Sequence, residues 1–234
     1  MCNPTPPTRR EFVATAGAAA FALPALAHAA DAPVTRKPDD VLKDLMAGNR
    51  RFVEGKLEHP GRSPKDFQAL ASGQAPPAII VGCADSRVPP EVVFDQGVGD
   101  LFVVRVAGNI VAGAGPLVKG SVEFAVGVLG ARLILVLGHT ECGAVKAAIT
   151  HIEGNDKLPG SIGELIDPIR PVVRRLKGTA ANKKLAAVTR ANVLEGVKRL
   201  QELSPVLAPM VKSGELKVVG GVYDLATGKV GLVS

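Results

Sequence analysis

Two apolar runs in this chain, Ala78-Ile79-Ile80-Val81-Gly82 and Leu133-Ile134-Leu135-Val136-Leu137-Gly138, contain no polar side chain, and each leads directly into a residue able to bind a metal, Cys83 and His139. A strand with one face in water alternates apolar and polar residues. Runs this short and unbroken therefore read as strands covered on both faces, as in a parallel sheet lying between layers of helices. Leu101 to Val106 and Lys217 to Val222 repeat the pattern. Helical stretches intervene at Leu117 to Leu129, Ile162 to Lys177 and Ala181 to Leu203. Strands separated by helices predict an α/β fold with a central, mostly parallel β-sheet flanked by helices. A short C-terminal edge strand is expected at Val230 to Val233, after the turn at Thr227-Gly228. Ahead of the sheet, Pro38 to Gly55 places Val41, Leu42, Leu45, Phe52 and Val53 on one side of a helix, and a short helix is predicted from Pro64 to Ser72.

The first 29 residues belong to a different problem. Arg9-Arg10 precedes an uncharged, alanine-rich stretch from Val13 to Ala27, interrupted by Gly17 and Pro24 and followed by Ala27-His28-Ala29. This reads as a twin-arginine export signal, 1–29, cleaved near Ala29 or Ala30, and it implies a periplasmic location with no stable membrane anchor after removal. Residues 30–37 form a linker and 38–234 a single catalytic domain, large enough to bury a core without disulfides. Without the leader the chain carries 26 Lys and Arg against 21 Asp and Glu, a formal charge of +5. The basic residues are dispersed and the chain has one Tyr and no Trp to stack on bases, so nucleic acid is not an expected partner.

Cys83 and Cys142 are the two cysteines left once Cys2 departs with the leader. In an oxidising compartment such a pair would ordinarily be read as a disulfide. His139, three residues before Cys142, points instead to a metal: thiolate and neutral imidazole are good zinc donors, and a strand-to-helix turn brings His-x-x-Cys side chains toward one point. Ligands collect at the carboxyl ends of strands in open α/β sheets, which is where Cys83 and His139 fall although they lie 56 positions apart. Three protein ligands leave the fourth position of a tetrahedral zinc, one Zn2+ per chain, free for water. Asp85 and Arg87 follow Cys83 closely enough to form a charge-assisted pair, and that pair keeps the Asp85 carboxylate from occupying the open position.

These residues resemble the β class of carbonic anhydrases, whose Cys-x-Asp-x-Arg and His-x-x-Cys-Gly motifs match Cys83, Asp85, Arg87, His139, Cys142 and Gly143. The resemblance runs from about residue 38 to the C-terminus and takes in Ser86-Arg87-Val88-Pro89 and Val104-Arg105-Val106-Ala107-Gly108-Asn109. It implies zinc on Cys83, His139 and Cys142, with Asp85 and Arg87 orienting the zinc water. It also implies a substrate pocket drawn from Gln74, Phe102, Ala107, Phe124 and Gly143, with Phe102 supplied by the partner subunit and Phe124 standing where some members have tyrosine. A homodimer or homotetramer follows, with Pro38 to Gly55 as the arm that crosses to the partner. Some members bind bicarbonate in a regulatory pocket containing tryptophan; with no Trp here, that pocket is not expected.

The activity implied is zinc-dependent, reversible hydration of carbon dioxide to bicarbonate and a proton through zinc-bound hydroxide. The same scaffold could hydrolyse carbon disulfide or carbonyl sulfide, or serve as a noncatalytic zinc or anion-binding module. The Asp85-Arg87 pair argues against the last, because a structural site has no need to keep a coordination position open. His59 and His151 are candidates for moving the released proton by chemistry alone. Gly97-Val98-Gly99 and Gly113-Ala114-Gly115 do not complete a nucleotide-binding fingerprint and read as turns.

Overall fold

A computed structural model describes residues 36–58, 60–111, 113 and 115–234. The predicted export signal, most of the predicted linker and His59 lie outside the described residues. In chain order the elements are α1 (Pro38–Val53), α2 (Pro64–Gln68), β1 (Ala78–Gly82), α3 (Pro90–Val93), β2 (Leu101–Arg105), a 3-10 turn (Ala107–Asn109), α4 (Gly115–Gly127) and β3 (Leu133–His139). There follow α5 (Gly143–Gly154), α6 (Ile162–Ile166), α7 (Arg170–Arg175), α8 (Ala181–Gln201), α9 (Leu207–Ser213), β4 (Lys217–Tyr223) and β5 (Val230–Val233).

Among the described residues the sheet has five strands in the order β2-β1-β3-β4-β5, parallel throughout except for the antiparallel edge strand β5. Every residue of β1 and β3 is buried, which accounts for their unbroken apolar sequences. Alternate residues serve opposite faces. Ile79, Val81, Ile134 and Val136 pack with Val118, Val122, Val193, Leu200 and Leu207 from α4, α8 and α9. Ile80, Leu133, Leu135 and Leu137 pack with Val41 and Leu45 of α1 and with Val93 and Phe94 at α3. From β1 the chain steps to β2 on one side through α3, then returns past β1 to β3 through α4. Opposite directions of travel with right-handed crossovers require opposite faces, as found.

The structure corrects two expectations about helices. First, α2, predicted to reach Ser72, ends at Gln68. Second, the segment Ile162 to Lys177 is not one helix: a 3-10 turn at Asp167–Ile169 divides α6 from α7, because Pro168 and Pro171 lack the amide protons that a continuous helix would use. The proposed arm, Pro38 to Gly55, lays its apolar side on this chain's own sheet. Val41 and Leu45 are each 2% exposed there, while Val53 on the same side is 36% exposed.

Asn49 fastens the end of α1. Its Nδ2 donates to the carbonyls of Val93 at 3.0 Å and Gly228 at 2.9 Å, and its Oδ1 accepts from Val230 N at 2.9 Å. One buried amide thereby joins α1, the end of α3 and the turn into β5. Asn49→Leu leaves two carbonyls and an amide buried without partners, and is expected to lower unfolding free energy by about 2–4 kcal/mol. Urea denaturation checks this; an unchanged midpoint would show that water replaces all three bonds.

Candidate metal centre

The strand order explains how distant residues converge. β1 and β3 are neighbours with Gly82 opposite Leu137, and the chain leaves them through layers on different faces. Their carboxyl ends therefore flank the point where the topology reverses, the usual ligand crevice of an open α/β sheet. Cys83 follows β1, His139 ends β3 and Cys142 immediately precedes α5. One ligating atom from each of these buried residues lies within 4.8 Å of the others.

Both cysteines are free thiols, with the sulfurs 4.0 Å apart. That is far beyond a disulfide bond and close to the separation of about 3.8 Å expected for two sulfurs each about 2.3 Å from one tetrahedral zinc. His139 Nδ1 lies 2.8 Å from the Thr140 carbonyl and donates its proton there. This leaves the Nε2 lone pair available, and Nε2 is buried without a hydrogen-bond partner. A buried polar atom left in that condition calls for a ligand.

The electrostatics carry the same message. The neighbouring Cys142 thiol, against the opposing effect of burial, holds Cys83 down to about 4, with help from His139 and the Gly108 amide. Cys142 is pushed well above the ordinary thiol range, first by the Cys83 sulfur and then by burial. The pair accommodates one negative charge readily and resists a second. Burial works against protonating His139, but the Cys83 sulfur and the Asp85 carboxylate outweigh it and leave the imidazole raised. A cation coordinated by all three would resolve this conflict, and the donor set of two thiolates and an imidazole suits zinc.

Asp85 borders the centre, its Oδ2 3.8 Å from His139 Nε2. Arg87 holds it with three donors: backbone N and Nε each at 2.9 Å to Oδ1, and Nη2 at 2.7 Å to Oδ2. The Arg87 guanidinium keeps the Asp85 carboxyl far below its usual range. A depressed folded-state value means that the pair stabilises the fold above the unfolded carboxylate pKa of about 3.9 and loses that contribution as the pH falls further. Asp85 is thus ionised throughout neutral and mildly acidic solution.

The remaining predicted pocket residues scatter. Ala107 opens the 3-10 turn whose next residue, Gly108, donates its N–H to Cys83 Sγ at 3.2 Å. Gly143 begins α5 directly after Cys142. Gln74 is exposed in the loop before β1, at the opposite end of that strand from Cys83. Phe102 lies in β2 opposite Ile79 and packs on the α4 side of the sheet. Phe124, 47% exposed, is on the outer face of α4. None of these last three joins the Cys83 cluster of its own chain.

Arg105 carries no role that its local sequence reveals. Arg105 Nε donates to the Cys83 carbonyl at 2.9 Å and Nη2 to the Asp85 carbonyl at 2.5 Å, clamping the backbone that carries both the Cys83 thiol and the Asp85 carboxylate. An arginine at the end of a strand is the only signal that could have drawn attention to it.

The fold and site define an α/β protein with two thiols and one imidazole, a group able to hold a metal ion, at the sheet's switch point. A profile described as carbonic anhydrase matches residues 78–230. "Carbonic anhydrase 2" of Mycobacterium tuberculosis is 41% identical over 187 residues, covering 80% of this chain and 88% of the relative. The carbonic anhydrase of Pseudomonas aeruginosa is 38% identical over 194 residues, covering 81% and 86%. Among solved structures, the β-carbonic anhydrase of Coccomyxa in complex with acetazolamide superposes with a TM-score of 0.65 at 31% identity, covering 82% of this chain and 86% of that one. The β-carbonic anhydrase CcaA gives a TM-score of 0.67 at 28% identity, covering 82% and 95%. The chain belongs to the β-class carbonic anhydrase family and is an enzyme of that kind.

Proposed function

We propose that the protein catalyses the reversible hydration of carbon dioxide to bicarbonate and a proton, using a zinc ion held by Cys83, His139 and Cys142. The observation that carries this reading is an ionised carboxylate beside the ligand group, kept in place by three donors of Arg87. When bound, zinc supplies a Lewis acid that makes hydroxide available at neutral pH. Arg87 restrains Asp85 from becoming a further ligand. Asp85, ionised and acceptor-only, takes a hydrogen bond from the attacking water and fixes the direction of its lone pair. Carbon dioxide has no charge to recognise, and the apolar side chains that share the cluster with Cys83 and Cys142, among them Val106, Ile110 and Ala144, provide surroundings suited to it. Ala107 and Gly143 lie beside this centre, and Phe102 is proposed to serve the centre of a partner subunit; Gln74, at the other end of β1, has no role in the centre of its own chain.

The test is stopped-flow hydration of carbon dioxide together with metal analysis on the same preparation. Activity should rise in proportion to bound zinc. Cys142→Ser is expected to lose most of the metal and the turnover, and Asp85→Asn to keep the metal while kcat falls about 10- to 100-fold. Stoichiometric zinc without hydration would sink the reading, and turnover of carbon disulfide or carbonyl sulfide in its place would redirect it.

Self-association is part of the same proposal. The half-buried strand β2 ends the sheet on one side, and beside it α4 and the residue after it turn Leu117, Phe124 and Val128 outward, at 82%, 47% and 65% exposure. An open strand edge adjoining exposed apolar side chains is a natural seat for a second copy. Phe124→Glu is expected to convert the assembly to monomers in analytical ultracentrifugation; an unchanged sedimentation coefficient would place the interface elsewhere.

Export through the twin-arginine route is proposed on the Arg9-Arg10 motif and the Ala27-His28-Ala29 site. The double variant R9K/R10K should then keep the protein in the cytoplasm on cell fractionation, and unaltered periplasmic recovery would remove the proposal.

A further inference from the structure

Asn192 stands in the middle of α8, where asparagine is a poor helix former, and it is only 8% exposed. A buried amide in such a place requires a partner. Its Nδ2 donates to the carbonyl of Gly108 at 2.9 Å, across 84 positions of sequence. The N–H of the same glycine donates to Cys83 Sγ at 3.2 Å. Asn192 and the metal-site sulfur are therefore joined through one residue, Asn192 holding the peptide after its Cα and Cys83 receiving the N–H of the peptide before it.

Gly108 is the point at which this segment is most easily turned. Its φ is 77° inside a three-residue 3-10 turn flanked by extended residues, Val106 and Ile110, and followed by a second left-handed residue, Asn109, at 46°; a glycine at such a φ is conformationally the freest residue available. A side chain could not replace it without loss, since a Cβ there would lie 3.2 Å from Ala144 Cβ at the start of α5. What aims its N–H at the sulfur must therefore include an anchor outside the turn. α8 is well seated to be that anchor: Val193, next to Asn192, lies against Gly138 and Gly220, where added Cβ atoms would come within 2.6 and 2.7 Å of its methyl groups. These two glycines admit the helix to the sheet at the level of His139, and thereby fix the height of Asn192 relative to the centre.

We propose that Asn192 is a positioning residue for the metal centre, acting through Gly108 to direct a hydrogen bond onto the Cys83 thiolate. Such a bond withdraws electron density from the sulfur and orients its remaining lone pairs, so that a side chain outside the ligand set adjusts both metal affinity and ligand strength. This inference rests on the reading of Cys83 as a metal ligand.

The test uses the full-length protein loaded with cobalt(II), whose thiolate-to-metal charge-transfer band reports the sulfur environment directly. Asn192→Leu and Asn192→Ala remove the donor; Leu200→Ala loosens the same helix away from the turn. Both Asn192 variants are expected to move the band to lower energy and weaken cobalt binding about 10-fold in competition with a chelator. Leu200→Ala should lose thermal stability while keeping the native band and affinity. A folded Asn192 variant with the wild-type band and affinity overturns the proposal. In the unaltered protein loaded with NMR-active cadmium, scalar coupling between the Gly108 amide proton and the metal is expected, and its absence overturns the proposal even if neither variant folds. A wild-type protein that binds cobalt without any charge-transfer band would instead fail the assignment of Cys83 as a ligand, a result separate from the comparison of variants.

Discussion

Two buried sulfurs 4.0 Å apart that resist ionising together are the constraint around which the rest of this structure is arranged. Charge repulsion at that distance in a dry site is severe, and the surrounding groups answer it in part. The Gly108 N–H donates to Cys83, and the first amides of α5, at Ala144 and Val145, favour the charged form of Cys142. His139 gives its Nδ1 proton to a carbonyl and presents an unpartnered Nε2 to the sulfurs. The balance still favours a cation, and a cation there would also attract the nearby Asp85 carboxylate. Three donors from Arg87 restrain that carboxylate without removing it from the edge of the site.

The scaffold makes this arrangement reproducible. Cys83, just after β1, and His139, at the end of β3, meet because those strands are neighbours at the reversal of the sheet, and a crevice at that point is a property of the topology rather than of any one side chain. Precision comes from polar contacts to the backbone. Arg105 grips the carbonyls of Cys83 and Asp85, and Asn192 holds Gly108. Hydrogen bonds of this kind fix direction as well as distance, which apolar packing alone does not do.

Much of the sheet was legible in the residues, because strands covered on both faces must be apolar throughout and so announce themselves. β1 and β5 have their predicted bounds, and β2, β3 and β4 differ from expectation by one residue each. Helices with one buried side were nearly as clear in α1, α4 and α8. The division at Pro168 and the short helix α9 were missed, since local periodicity does not register the lost amide donors of Pro168 and Pro171, and α9 has only seven residues. The destination of α1 was not legible either: an amphipathic helix has the same pattern whether its apolar face meets its own sheet or a neighbour's.

At the candidate centre, the sequence by itself singled out the proposed donor set, Cys83, His139 and Cys142, and the proposed orienting pair, Asp85 and Arg87, because these residues lie in two short segments whose chemistry can be read locally. Only the tertiary structure decided which other residues serve it. Gln74, Phe102 and Phe124 are distant from the Cys83 cluster of their own chain, while Arg105 and Asn192 reach it through backbone carbonyls. Ligand chemistry belongs to residue type and close spacing and survives in one dimension. The approach of a helix residue to a turn 84 positions away depends on strand order, on the crossover faces and on glycines that admit the helix, and those relations exist only once the sheet has formed.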